Sequence, residues 1–304
     1  MTNHIGEFAA LLTTVFWTIT ALSFETASKR IGSLHLNLLR LAMAFVFLSL
    51  FSWFRRGEFF PLDAGMHQWT WLSISGLVGF VIGDFCLFQA FILIGARVSM
   101  LVMTLAPPIA ALAGWYFLGD SLSSRGLLGM SITLLGIAMV IFVRMPSENK
   151  NKSKRQKLKL AIPLKGILFA LIAAIGQGTG LVISKYGMNS YDPFSSSQIR
   201  VVAGFAGFAL VFTLLGKWKE LPASFHDRKA MSWLTVGAIF GPFLGVSFSM
   251  IAIQHTNAGI AQTIMSLVPV LIIPPSILIN KVRPQMREII GALLAVAGVS
   301  LFFL

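Results

Sequence analysis

The chain has 304 residues, of which 56% are hydrophobic and only 12% charged, with a mean hydropathy of +0.80. A soluble domain is typically about 25% charged, so a water-soluble globule is excluded. The formal net charge of +13 does not point to nucleic acid, because the basic residues lie mostly between the apolar runs rather than on an amphipathic face.

Ten runs of about 20 residues can be marked, each long enough to cross roughly 30 Å of hydrocarbon. They lie near 6–24, 34–54, 69–94, 98–118, 126–143, 164–184, 195–215, 232–254, 259–280 and 286–304. The expected fold is an all-α polytopic membrane protein. The first run has no basic segment before it and no small-x-small site after it, so it reads as a span rather than a cleavable leader. It carries Trp17 near its centre. The second run carries Arg40 about two turns in. The third carries Cys86 and Asp84, and Asp84 is placed near mid-membrane by the 1.5 Å rise per residue from Trp71. A carboxylate at that depth costs several kcal/mol and marks a cavity, a partner or a proton path. Desolvation opposes its ionised form, so Asp84 is the expected proton-coupling residue.

The fourth run carries Thr104 and Pro107. Between the fifth and sixth lies "RMPSENKNKSKRQKLKLAIPLK" (144–165), with eight Lys or Arg. Excess Lys and Arg marks cytoplasmic loops. With ten spans, a cytoplasmic connector puts both termini outside. The sixth run carries Gln177, the seventh Arg200 and the eighth Ser247. The ninth carries Gln262, Ser266 and Pro269. Arginine can clamp a carboxylate or phosphate with two parallel bonds or snorkel to the interface, and both options stand for Arg40 and Arg200. Trp17, Thr104, Gln177, Ser247, Gln262 and Ser266 supply the polar and aromatic groups that suit a small polar solute.

Sliding the chain by 162 residues aligns 71–142 with 233–304 without a gap. The 12 identities in 72 positions carry weight because half are Gly, Pro or Trp. Trp71 meets Trp233, Gly79 meets Gly241, Gly83 meets Gly245, Pro107 meets Pro269 and Gly136 meets Gly298. Upstream, "NLLRLAMAF" (37–45) falls beside "SQIRVVAGF" (197–205), so Arg40 meets Arg200. The mate of Asp84 is Val246. Each repeat holds five spans, so the second copy is expected upside down, an arrangement that recurs in secondary transporters with a midplane site. Pro107 and Pro269 are expected to kink spans four and nine beside a central cavity, where freed backbone is tolerated. The small residues Gly237, Gly241, Gly245 and Ser249, and Gly76, Gly79 and Gly83, are expected to serve close helix packing.

Enzyme signatures are missing. The sequence has no HExxH, no GxSxG and no GxxxxGK[ST]. "IGDF" (82–85) and "YDPF" (191–194) do not match the order of an intramembrane aspartyl protease. With one cysteine, neither a disulfide framework nor a metal cluster is expected, and no cofactor is expected.

The two five-span halves, "FWTITALSFETASKRIG" with "LNLLRLAMAF", and "GWYFLGDSLSSRGLLGMSITLLGIAMVI" (114–141) resemble the ten-helix EamA-type branch of the drug/metabolite transporter superfamily. The last stretch is similar to the final two spans of the small four-helix multidrug exporters. The resemblance implies an N-terminal repeat over 1–143, a basic connector over 144–163 and a C-terminal repeat over 164–304. It implies a multi-pass protein of the cell (inner) membrane whose partners are a small-molecule substrate and the lipid bilayer, with no nucleic acid, and which acts as a monomer. It implies export of small polar metabolites by alternating access, amino acids foremost. Drugs, sugar phosphates or nucleotide sugars are the alternatives, as is a non-transporting sensor or assembly partner. Family habit puts both termini in the cytoplasm, against the charge count, and the orientation stays open.

Overall fold

The computed structural model describes residues 4–121, 123–143, 163–271 and 286–301. The basic connector and the second half of the ninth run lie outside the described residues. Among the described residues the regular structure is helical throughout. Helices α1 (Ile5–Ile31) and α2 (Ser33–Arg56) are joined at Gly32. Its φ of +78° is open to glycine and costly for other residues. Helix α3 (Met66–Gly76) runs into a π-helical stretch (Leu77–Asp84) and on into α4 (Phe85–Met103). Helices α5 (Ala106–Leu118) and α6 (Ser124–Val143) complete the first half.

The second half follows the same plan. Helices α7 (Leu164–Met188) and α8 (Pro193–Leu215) lead through a 3-10 turn and short α9 (Leu221–His226) to α10 (Arg228–Ala238). A second π-helical stretch (Ile239–Gly245) and α11 (Val246–His255) continue it. Then come α12 (Ala258–Met265), α13 (Val268–Leu271) and α14 (Met286–Ser300). The two π-helical stretches start 162 residues apart, at Leu77 and Ile239. The repeat therefore preserves a rare backbone form, one that often marks functional sites.

Six segments among the described residues are long and apolar enough to cross a membrane: 5–31, 33–56, 66–94, 164–188, 193–215 and 228–255. They correspond to the expected runs one, two, three, six, seven and eight. Runs four, five and ten appear as shorter apolar helices, and run nine lies partly outside the described residues. The junction expected near 94–98 is helical in backbone, because the fall in hydropathy around Gly95–Arg97 ends the apolar run without removing any backbone donor.

The prolines act differently from expectation. Neither sits inside a kinked helix. The chain leaves the helix at Thr104–Leu105 and again at Ser266–Leu267. Pro107 and Pro269 are each the second residue of the helix that follows. First-turn N–H groups have no intrahelical acceptor, so proline costs little there. At the second break the Thr14 hydroxyl donates to the Ile264 carbonyl at 3.0 Å. That contact ties α1 to the end of α12.

Small residues set the packing. A Cβ on Gly237 would collide with the Phe24 ring, one on Gly241 would stand 2.8 Å from Thr20, and one on Gly245 2.7 Å from Trp17. One face of α1 thus lies directly on the small stripe. Likewise Gly83 abuts Gly176, Gly79 abuts Gly180, and Ser75 donates to the Gly180 carbonyl at 2.7 Å. Helices α6 and α14 meet at Gly136 against Gly291 and Ala295, and at Gly298 against Gly129 and Thr133. In each of these three pairs one helix's numbers fall as the other's rise, so each pair is antiparallel.

Candidate functional site

The close packing of α1 on α10–α11, and of the first π-helical stretch on α7, leaves a central cavity of about 130 Å³. Both halves line it. The first contributes Trp17, Thr20 and Phe24 from α1, Arg40 from α2, Phe80 and Asp84 from the π-helical stretch, and Met100, Met103 and Thr104 near the first helix break. The second contributes Gln177, Pro242, Val246, Gln262, Met265 and Ser266. Several of these are repeat mates: Phe80 and Pro242, Asp84 and Val246, Met103 and Met265, Thr104 and Ser266. The two helix breaks therefore face the same space. Pro107 and Pro269 also deprive the Met103 and Met265 carbonyls of their in-helix donor.

The polar centre is a buried three-residue contact. Asp84 Oδ2 accepts from Arg40 Nη2 at 2.6 Å, and its Oδ1 accepts from Gln177 Nε2 at 2.5 Å. Both charged side chains are buried, Arg40 at 4% and Asp84 at 7% exposure. Snorkelling is thereby ruled out for Arg40 in this structure. The guanidinium is held on its other side by Asn37, which accepts from Nε at 2.9 Å. It lies 5.0 Å from the Phe88 ring centre and 5.6 Å from that of Phe24. Aromatic faces attract such a cation, and a planar guanidinium suits both the stack and the carboxylate.

Of the nine residues chosen from polarity, depth and repeat position as substrate or coupling groups, seven line the cavity: Trp17, Arg40, Asp84, Thr104, Gln177, Gln262 and Ser266. Arg200 and Ser247 do not. Ser247 is fully buried and its hydroxyl donates to the Phe243 carbonyl at 2.6 Å. Arg200 is buried behind the Phe80 ring, 4.9 Å from its centre. Sequence reasoning passed over Asn37, Thr20 and the aromatic and methionine walls. Asn37 carried a signal, since it sits one turn before Arg40 on the same face. The walls carried none, because apolar side chains in a span look alike whether they face lipid or cavity.

A polar rim closes the face on which α1, α3 and α8 begin. Lys185 donates to Asp120 at 3.0 Å and to the Thr256 carbonyl at 3.1 Å. Thr256 donates to Glu7 at 2.9 Å. Arg55 pairs with Asp192, Arg56 pairs with Asp63, and Tyr191 donates to Asp63 at 2.7 Å. Burial pushes the Asp63 carboxyl up, but hydrogen bonds from Tyr191 and Arg56 outweigh it and hold the group below its ordinary value. The same environment pushes the Tyr191 phenol up to about 12, through burial first and the Asp63 carboxylate second.

The EamA-like transporter family model matches residues 4–142 and 164–304. The chain belongs to that family, within the drug/metabolite transporter superfamily, and is a multi-pass membrane transporter built from two repeats. A solved crystal structure shares its fold with a TM-score of 0.73 at 15% identity, covering 98% of this chain and 96% of the other. Comparison with curated proteins returns no match.

Proposed function

We propose that this chain is a secondary transporter that exports small polar metabolites, amino acids foremost, across the cell (inner) membrane. The observation that carries this reading is the Arg40–Asp84–Gln177 contact on the wall of a cavity built by both repeats. An α-amino acid carries the same two charges as that ion pair. Its carboxylate can take the Arg40 guanidinium while its ammonium takes Asp84, so one buried pair becomes two and no charge is left alone. Trp17, the Phe rings and the methionines suit an apolar side chain, and Gln262, Thr104 and Ser266 supply adaptable hydrogen bonds.

Ten spans in two inverted halves are part of the same reading. It is supported by the paired π-helical stretches, the paired helix breaks and the antiparallel contact of α6 with α14 across positions related by the repeat. Asp84 serves as the coupling residue. A proton arriving there neutralises the partner of Arg40, so protonation and opening of the ion pair become one event. The connector lies in the cytoplasm, and one chain suffices for the cavity because both halves are present.

The test is counterflow in proteoliposomes with labelled amino acids, sugar phosphates and quaternary ammonium compounds. Exchange of an amino acid by the purified chain alone supports the reading. Exchange of only another class moves the substrate assignment, and no exchange of any class overturns transport.

A further inference from the structure

Arg40 and Arg200 hold matching places in the two repeats, and their surroundings match as well. Arg40 lies on Phe88, and Arg200 Nη1 lies 3.8 Å from the sulfur of Met250, the repeat mate of Phe88. Both guanidinium groups approach the one Phe80 ring, Arg40 at 5.7 Å and Arg200 at 4.9 Å. What differs is the anion. The place of Asp84 is taken by Val246. The place of Asn37 is taken by Ser197, whose hydroxyl is turned onto the Pro193 carbonyl at 2.9 Å. Arg200 is 5% exposed, and its Nε is buried with no hydrogen-bond partner. Among the described residues no carboxylate lies within ion-pair distance of it. The buried cluster of two arginines and one aspartate therefore holds one positive charge more than it balances. Buried charges are ordinarily paired, because desolvating one alone is costly.

We infer that Arg200 is a second anion seat, reached from the cavity when the Phe80 ring turns aside, and that the transported solute brings an extra carboxylate or phosphate to it. This rests on the transport reading and narrows it to solutes with net negative charge. One such oxyanion on Arg200 completes the charge balance that Asp84 provides at Arg40, and the planar fork of Arg200 matches either group. Phe80 is suited to cover the seat, since it lines the cavity on one face and Arg200 lies against it.

The test is thermal unfolding of the full chain in nanodiscs of phosphatidylcholine alone, titrated with L-glutamate, succinate or inorganic phosphate, with chloride at equal ionic strength as control. In wild type at least one of the three is expected to raise the midpoint saturably while chloride does not. Arg200→Met is expected to melt higher than wild type without anion, and to need about 30-fold more of it, or not to respond. Arg200→Lys should keep part of the response. A residue that only packs would give the opposite sign, with Arg200→Met melting lower. That result, or no anion response in wild type, or an unchanged response in Arg200→Met, overturns the inference. So does stabilisation that appears only with phosphatidylglycerol in the disc and no solute, which assigns the anion to a lipid headgroup. Failure here is distinct from failure of transport. Exchange of leucine by a wild-type protein that shows no anion response leaves the transporter and removes the seat. Anion binding without exchange of any solute does the reverse.

Discussion

The two π-helical stretches, 77–84 and 239–245, follow one backbone plan and line one cavity, yet only the first leads to a charge. It delivers Asp84 against Arg40, whereas the second ends beside Val246, and among the described residues Arg200 has no carboxylate partner. The backbone repeat builds the space, and the positions where the repeat fails give that space its chemistry. Geometry tolerates such asymmetry because helix–helix approach depends on the small residues, and these are kept in both halves: Gly79 and Gly83, Gly241 and Gly245.

The largest expected effect breaks the charged side. Asp84→Ala leaves Arg40 buried without its carboxylate and should destabilise the protein by about 3–5 kcal/mol, read as a lower thermal midpoint. Asp84→Asn, which keeps the shape, is expected to be milder. It should abolish uphill transport driven by an imposed pH gradient while exchange at equal concentrations persists. Loss of both would make Asp84 a ligand or packing residue instead.

The neighbouring prediction fills the gap on the second side. Val246→Asp places a carboxylate one turn from Met250, which already touches Arg200. It is expected to pair with Arg200 and to stabilise the protein relative to Val246→Asp with Arg200→Met, in which the new carboxylate is stranded. A double-mutant cycle of about 2 kcal/mol or more would establish the pair. A cycle near zero would mean that the two arginines do not face equivalent positions.

A smaller effect tests the part both sides share. Gly241→Ala puts a Cβ 2.8 Å from the Thr20 methyl carbon, and overpacking of this kind costs about 1–3 kcal/mol. Gly241→Ala combined with Thr20→Ser should recover most of the loss, since that methyl is what the Cβ meets.

The smallest effects belong to the rim. Asp120→Asn weakens a partly buried rim pair with Lys185, worth about 1 kcal/mol. It should nonetheless raise cysteine labelling at Thr104→Cys from the face on which α1 begins. Tyr191→Phe removes one of the bonds that hold Asp63 low. A carboxylate held low stabilises the fold above its ordinary value near 3.8 and loses that contribution as pH falls through the folded value. In Tyr191→Phe the acid loss should therefore be smaller and complete at higher pH, measured by a pH series of thermal midpoints.

By itself the sequence determined the membrane solvent, the doubled plan and the polar positions worth examining. Long apolar runs have one stable form in hydrocarbon, and a repeated Gly–Pro pattern constrains backbone wherever it occurs. It also singled out Asp84 and Arg40 separately, because charge in a span is costly enough to be conspicuous. Only the tertiary structure decided that these two are one ion pair, closed by Gln177 from the other repeat, 93 residues away in the chain. The same holds for Pro107 and Pro269. Their spacing in the sequence suggested kinks, but whether a proline bends a helix or begins the next one depends on where the preceding residues leave helical geometry. Arg200 shows the limit most clearly. Its type and depth matched those of Arg40, and which of the two has a partner depends on side chains brought from other helices, which no local pattern specifies.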